Sequence, residues 1–161
     1  EPTTTLSAKP SGHSWNMYQG GPSLSGSRNT SQLTIPEEKA EIAWIYQADG
    51  AISSSPAVTD EAVYVSTDDR RILALDRRTG LPLWEYPAEA PTDSSPAVAG
   101  DLLYVALREG RFVALNRFDG TEIWNFQSEE PFFSSPTIHN GIAYIGSGCL
   151  LYTYQRPRYR V

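Results

Sequence analysis

The side chains best suited to chemistry are few and lie far apart in the chain. His13 and His139 are the two histidines, and Cys149 is the single cysteine. A zinc site needs three or four nitrogen, sulfur or carboxylate ligands, and Cys149 lies at a ligand spacing from neither histidine. We therefore interpret His13 as part of a linker and His139 as part of a turn beside Asn140, and we expect no metal site.

Carboxylates are more numerous, but they do not converge on one place. Asp68-Asp69 is followed directly by Arg70-Arg71, a pattern typical of a surface turn whose charges neutralise each other. Calcium binding is the weaker alternative for this turn. The other turn carboxylates fall on different predicted hairpins: Asp60, Glu61, Asp101, Glu109 and Asp119. The sequence therefore predicts no catalytic acid–base pair.

Charge and hydropathy exclude several kinds of partner. The chain has 161 residues, the size of one ordinary domain, and a formal net charge of −6. An acidic chain of this kind is a poor partner for nucleic acid or for an anionic membrane surface. No stretch reaches about 18 consecutive apolar residues, so we expect no membrane span.

A repeat with a period of 40 residues dominates the sequence. Four different motifs keep this period, which makes a chance origin implausible. They are Ser-Ser-Pro (starting at Ser54, Ser94 and Ser134), an apolar-Tyr-apolar triplet (around Tyr64, Tyr104 and Tyr144), a turn ending in glycine (Gly80 and Gly120) and a tryptophan (Trp44, Trp84 and Trp124).

Each repeat unit has the pattern of four short antiparallel strands. In the first unit they are expected at 54–58, 62–66, 71–76 and 82–86, separated by turn residues. Four strands in about 40 residues is the size of one β-propeller blade, so the sequence predicts an all-β propeller fold. Gly80 and Gly120 are expected to take positive φ. One tryptophan per unit is expected to pack on the next blade, and the Ser-Ser-Pro hydroxyls to satisfy backbone groups near the central channel.

These motifs resemble the pyrroloquinoline-quinone (PQQ)-like β-propeller repeat family from Trp44 to about Gln155. The segment from Trp15 to Pro22 is similar to the Trp-and-Gly opening that often precedes the first blade. The family includes dehydrogenases, an outer-membrane assembly lipoprotein and sensor domains, so the resemblance implies a fold rather than one activity. It also implies an extracytoplasmic location, in the bacterial periplasm or at the cell surface.

The resemblance to the dehydrogenases stops at the residues that bind their cofactor. Those enzymes have a pair of adjacent cysteines above the cofactor, a calcium site, a catalytic carboxylate and a complete ring of blades. This chain has Cys149 alone and no Cys-x-x-Cys-His haem motif. We therefore expect neither a cofactor nor enzymatic activity.

The strand count predicts an incomplete propeller of about three blades. Two blades are full (54–86 and 94–126), while the third (134–155) lacks its fourth strand, and a lone fourth-type strand is expected at 42–46. Residues 1–40 are interpreted as an extended linker and anchor, 41–155 as propeller repeats and 156–161 as a basic tail. Closed propellers have about 4–8 blades, so the edges of this arc need covering.

Three explanations of the short arc stay open. The chain is a shortened family member covered by a protein partner, or half of a six-bladed homodimer in which 42–46 closes the last blade of the other copy. The third is a fragment of a longer protein.

Two departures from the repeat suggest where a partner binds. Phe132-Phe133 stands where the other units have Ile52-Ser53 and Thr92-Asp93. Exposed aromatic residues there suit a protein contact, although covering the open end of the core is an equal alternative. The tail is basic, which suits an acidic partner or a lipid headgroup, and a solvated tail is the simpler interpretation. Its candidate residues are Arg156, Arg158, Tyr159 and Arg160.

The function that these features favour is a non-catalytic protein-interaction or scaffolding module, an accessory subunit of a larger extracytoplasmic assembly. The alternatives are an N-terminal fragment of a PQQ-dependent dehydrogenase and an extracellular ligand-sensing propeller.

Overall fold

A computed structural model describes residues 41–155 of the protein. Within this range the chain forms eleven strands in three antiparallel sheets and has no helix. The all-β prediction is therefore confirmed, and each sheet corresponds to one blade of an incomplete propeller. No helix in the described residues is long and apolar enough to cross a membrane.

The first blade is a four-stranded meander in the order β1-β2-β3-β4. Its strands are β1 (Ala57–Val58), β2 (Ala62–Thr67), β3 (Arg71–Asp76) and β4 (Pro82–Pro87). The turn before β4 closes because the Asp76 carboxylate accepts hydrogen bonds from Thr79 N (2.7 Å) and Arg78 N (3.0 Å). Gly80 ends this turn with φ of 72°, a conformation that costs glycine little.

The second and third blades repeat this plan, but the third is shorter. The second blade has the order β5-β6-β7-β8 and the third has β9-β10-β11. Their strands are β5 (Ala97–Ala99), β6 (Leu102–Ala106), β7 (Arg111–Asn116), β8 (Glu122–Gln127), β9 (Thr137–His139), β10 (Ile142–Ser147) and β11 (Leu150–Gln155).

Two expected strands differ from the structure. The first strand of the first blade begins at Ala57 rather than Ser54, because the two serines before it use their hydrogen bonds sideways. Ser54 Oγ bonds to Ser66 Oγ (2.9 Å), and Ser55 N donates to Ser95 Oγ in the next blade (3.0 Å). The expected strand at 42–46 is not formed, since no neighbouring strand is present in the described residues to pair with it.

The core of the molecule lies between the blades rather than within one sheet. Tyr64 and Ile72 of the first blade are buried against Leu103 and Val113 of the second, and Trp84 packs on the same cluster. An equivalent cluster joins the second and third blades. Each large apolar side chain buried in this way contributes about 1.5–3 kcal/mol, so the blades depend on their neighbours for stability.

A third apolar cluster shows where residues 42–46 belong. Trp44 and Tyr46 pack on Val65, Leu73 and Leu75 of the first blade. This is the packing that the fourth strand of a blade makes with the blade that follows it. Residues 42–46 therefore occupy the fourth-strand position of a preceding blade, although they form no sheet of their own.

Each of these fourth-strand tryptophans docks on the glycine turn of the next blade. Trp84 Nε1 donates to the carbonyl oxygen of Arg117 (3.0 Å), and Trp44 Nε1 donates to that of Arg77 (2.9 Å). The indole ring lies so close to the turn that only glycine fits. A Cβ on Gly120 would come within 2.7 Å of Trp84 Cε3.

Replacing Gly120 by alanine tests this contact. Because the new Cβ would meet the Trp84 ring and φ is +75°, we expect Gly120→Ala to lower the free energy of unfolding by about 3 kcal/mol or more. Gly100→Ala is the matched control, since Gly100 has φ of +60° and no atom within 4 Å. It should cost about 1–2 kcal/mol. Urea denaturation measures both, and equal losses would contradict the docking of the indole.

Candidate protein-interaction site on the third blade

The Ser-Ser-Pro motifs form a hydrogen-bonded chain across the blades. Ser55 N donates to Ser95 Oγ (3.0 Å), and Ser95 N donates to Ser135 Oγ (2.9 Å). These hydroxyls are thus used to join successive blades. His139, the histidine within the described residues, is exposed on a hairpin and makes no contact with them. The serines have no base that could activate them as nucleophiles.

Charged pairs dominate the loops that lead into the first two blades. Ser53 Oγ bonds to the Asp68 carboxylate (3.3 Å), and at the same place in the second blade Arg108 Nε donates to Asp93 (2.8 Å). Arg71 lies nearby, and its guanidinium pairs with Asp49 (2.8 Å). The loop-to-hairpin junctions of both blades are therefore polar and electrically balanced.

A second cation ties the first blade to the second. Arg111 pairs with Glu89 and with Glu122, the latter at 2.7 Å. The Tyr86 hydroxyl of β4 donates to the same Glu122 carboxylate. Burial and the adjacent Glu122 carboxylate raise the pKa of Tyr86 to about 12. Partial burial pushes the pKa of Glu122 upward, but hydrogen bonds from Tyr86 and Asn125 and the charge of Arg111 hold it below its usual value.

Alkaline pH should weaken this tie. The pKa of Tyr86 is higher in the folded protein than the ordinary value of about 10. The stability that this group contributes is therefore complete below about pH 10 and is lost as the pH rises toward 12. We expect Tyr86→Phe to make the free energy of unfolding fall less steeply between pH 9 and 11.5, as followed by urea denaturation.

The control for this prediction is Tyr46→Phe, because Tyr46 holds the same repeat position in the segment before the first blade. No carboxylate bonds to its hydroxyl in the described residues. If the slope were the same in the wild type and in both variants, the proposed role of Tyr86 would be wrong.

The third blade lacks the charges found at these places in the first two. Phe133 stands where Ser53 and Asp93 stand, and Gly148 stands where Asp68 and Arg108 stand. Aligned across a one-residue deletion beside Cys149, Leu150 replaces Arg71 and Arg111 and Leu151 replaces Ile72 and Phe112. Polar pairs are thus exchanged for apolar side chains at one end of the arc.

These apolar side chains are exposed on the third blade. Phe133 is 67% exposed, Leu150 53% and Leu151 70%. Ser147 Oγ donates to Pro131 O (2.9 Å), which holds the Phe133 loop against the β10–β11 hairpin. We call Phe133, the exposed Cys149, Leu150 and Leu151 the apolar tip.

Phe132 and Phe133, which the sequence treats as a pair, have different environments. Phe132 is 2% exposed and lies with its ring centroid 6.1 Å from that of Phe112 and 5.9 Å from that of Tyr152. The expectation that both rings are exposed is therefore wrong for Phe132, which belongs to the core between the second and third blades. The tail residues Arg156, Arg158, Tyr159 and Arg160 lie outside the described residues.

Three residues of the apolar tip were missed from sequence: Cys149, Leu150 and Leu151. The signal was present, because the deletion beside Cys149 is visible when the units are aligned. Only an alignment that opens a gap there puts Leu150 at the arginine position. The described residues contain no group of three or more His, Cys, Asp or Glu side chains that could hold a metal ion.

Comparison with known proteins identifies the family. A model of PQQ-like repeats, described as outer membrane protein assembly factor BamB, matches residues 3–94 and again residues 87–150. The chain belongs to this family. No curated protein matches it significantly.

Solved structures of both enzymes and a non-enzyme share the fold. Quinohemoprotein alcohol dehydrogenase from Comamonas testosteroni is 22% identical with a TM-score of 0.74, covering 84% of this chain and 23% of its own. BamB from Moraxella catarrhalis is 19% identical with a TM-score of 0.62, covering 70% of this chain and 36% of its own. A europium-containing methanol dehydrogenase is 16% identical with a TM-score of 0.71, covering 86% and 28%.

The chain of this family member therefore spans about a quarter to a third of the structures it resembles. At these identities the likeness establishes the propeller fold alone. Because dehydrogenases and an assembly factor share that fold, the activity has to be argued from the residues of the site.

Proposed function

We propose that the protein is a non-catalytic protein-binding module, an accessory subunit of a larger extracytoplasmic assembly. The observation that carries the proposal is the apolar tip of the third blade. Phe133 and Leu150 are exposed there at repeat positions that hold Ser53 or Asp93 and Arg71 or Arg111 elsewhere. An exposed apolar cluster at one place on an otherwise polar surface is typical of a protein contact.

A second exposed phenylalanine sharpens the contrast. Phe118 is 57% exposed, but the guanidinium carbon of Arg117 lies 4.1 Å from its ring centroid, so a cation already covers one face of that ring. No cation covers Phe133 in the described residues. Phe133 is therefore the better candidate for a residue that buries itself against another protein.

The family supports the class of function and the location. Its model is described as an outer membrane protein assembly factor, a role that is carried out by contacts between proteins outside the cytoplasm. We carry over to this chain the extracytoplasmic location and the binding of other proteins, without naming the partner.

A dehydrogenase role is the alternative, because quinohemoprotein and methanol dehydrogenases share the fold. The donor set of residues 41–155 does not fit their cofactors. Cys149 is exposed at a hairpin tip with glycine and leucine as neighbours, so no pair of adjacent cysteines faces a channel. The inner serines are already bonded to one another. A ligand-sensing propeller remains the other alternative.

Site-directed photocrosslinking tests the proposed contact. A photoreactive phenylalanine analogue at position 133 should crosslink the native protein to a partner in extracytoplasmic extracts of the source organism, and the same analogue at position 118 should not. We expect Phe133→Ser to lower recovery of that partner at least about tenfold, with unchanged thermal stability. Phe118→Ser should leave recovery unchanged. Equal crosslinking from both positions would contradict the proposal.

An activity assay tests the non-catalytic part. The purified chain is mixed with PQQ, calcium, an alcohol and an artificial electron acceptor dye. We expect no dye reduction above a heat-denatured sample. Turnover that depends on PQQ would favour the dehydrogenase alternative and overturn this part of the proposal.

A further inference from the structure

The two ends of the three-blade arc have complementary surfaces. We propose that each end binds the opposite end of a second copy of the chain, with residues 42–46 of one copy completing the sheet of the third blade of the other. The inference rests on the proposed protein-binding function and names one partner, which covers Leu150 and Leu151 and leaves Phe133 free. Four separate features support it.

The first feature is an uncovered face on the third blade. In the first blade the side that faces the next blade is buried, with Tyr64 and Ile72 at 1% and 0% exposure. The matching side of the third blade holds Tyr144, which is half-buried, and Leu151, which is 70% exposed. A face built like an interface between blades therefore has no blade against it in the described residues.

The second feature is a strand edge at one end and a lone strand segment at the other. β11 pairs with β10 alone among the described strands, whereas the segment 42–46 lies at a fourth-strand position with no third strand beside it. In the first blade Ile72 is opposite Tyr86 and Ala74 is opposite Trp84. The same register places Leu151 opposite Tyr46 of the second copy, an antiparallel pairing that satisfies the backbone groups of both edges.

The third feature is a coupled change of residue type at the two ends. In the first blade Arg71 of β3 pairs with Glu85 of β4 at 3.5 Å. The residues at these two positions of the proposed joint are Leu150 and Ile45, which are 53% and 77% exposed. Both members of a charged pair have become aliphatic, as expected if the two side chains meet across the joint.

The fourth feature is a set of unused hydrogen-bonding groups that match. The Arg117 carbonyl accepts two hydrogen bonds, from the Trp84 indole and the Tyr64 hydroxyl (3.1 Å). The Arg77 carbonyl accepts only that of Trp44 in the described residues. Tyr144 is the third-blade equivalent of Tyr64, so its hydroxyl reaches the free lone pair of Arg77 in the second copy.

The serine chain ends in the same complementary way. Its last described member is Ser135, whose N–H has no further serine to bond to, and its first is Ser55, whose hydroxyl receives no serine N–H. At the joint, Ser135 N of one copy would donate to Ser55 Oγ of the other. The geometry is then the same as the one already present twice within the chain.

The number of blades selects the number of copies. Each copy supplies three blades, and closed propellers have about 4–8. One copy or three copies fall outside this range, whereas two copies give a ring of six blades. A head-to-tail joint that closes after two copies makes a finite particle rather than a filament.

Light scattering behind size exclusion tests the mass of the full chain. Twice 17.8 kDa is 35.6 kDa, and this is the mass we expect. Leu151→Glu should place a charge in the joint and weaken self-association at least about tenfold. Leu83→Glu is the matched control, because Leu83 is 52% exposed on a strand outside the joint, and it should stay dimeric. A wild-type monomer, or a series of higher multiples, would overturn the proposal.

Disulfide crosslinking tests the register of the joint. In the first blade Arg71 is opposite Pro87, which places Leu150 opposite Gln47 of the second copy. In a Cys149→Ser background, mixing Leu150→Cys with Gln47→Cys should give an oxidised dimer, since antiparallel partners lie about 4.5–5.5 Å apart between Cα atoms. Mixing Leu150→Cys with Arg78→Cys should not. Equal yields would overturn the register.

The two proposals can fail separately. A monomer that still crosslinks to another protein through Phe133 would remove only the second copy as partner. A monomer with no crosslink through Phe133 would overturn both. Phe133→Ser should leave the dimer mass unchanged, because Phe133 lies outside the joint.

Discussion

The contact of a fourth-strand indole with the glycine turn of the next blade determines how the blades of this protein are spaced. Trp84 needs two things from its neighbour: a carbonyl oxygen at Arg117 to accept its N–H, and a Cα at Gly120 without a side chain. The turn supplies both because Asn116 caps it, its Oδ1 accepting from Phe118 N (2.9 Å). The interblade core of Tyr64, Ile72 and the aliphatic residues opposite them then closes beneath the ring.

The same requirement explains why the third blade is different. Trp124 is the third tryptophan of the series, and its Nε1 is buried without a hydrogen-bond partner among the described residues. No turn ending in glycine follows β11 there. The ring is instead held by aromatic neighbours, with Phe112 at 5.4 Å and Tyr154 at 6.0 Å between ring centroids. Because buried N–H groups rarely lack an acceptor, this end of the arc is incomplete as it stands.

Much of the architecture could be predicted from sequence because a 40-residue period repeats both the strands and the turns. The fold class and the family followed from motifs that recur at fixed positions. The environments of Phe132 and Phe133 could not be predicted, because Ile52 and Thr92, the equivalents of Phe132, are 45% and 1% exposed. Burial there depends on how the preceding loop is bonded in each blade, which the period does not encode.

The segment 42–46 shows another limit of pattern reading. Its alternation predicts a strand, yet a strand exists only when another strand pairs with it, and the described residues supply none. Pattern also gave no warning of Leu150, whose meaning depends on a deletion and on Ile45 at the far end of the arc. Pairs of this kind become visible only when the blades are superimposed and the two ends are compared with the interfaces inside the chain.

Amide hydrogen exchange of the wild-type chain at two protein concentrations tests most directly whether the ends of the arc are covered by another chain. The account predicts that amides of residues 42–46 and 150–155 exchange more slowly at high concentration, while those of β6 and β7 are protected equally at both. Protection of both ends that does not change with concentration would mean that a single chain covers them. It would contradict the open, self-complementary arc.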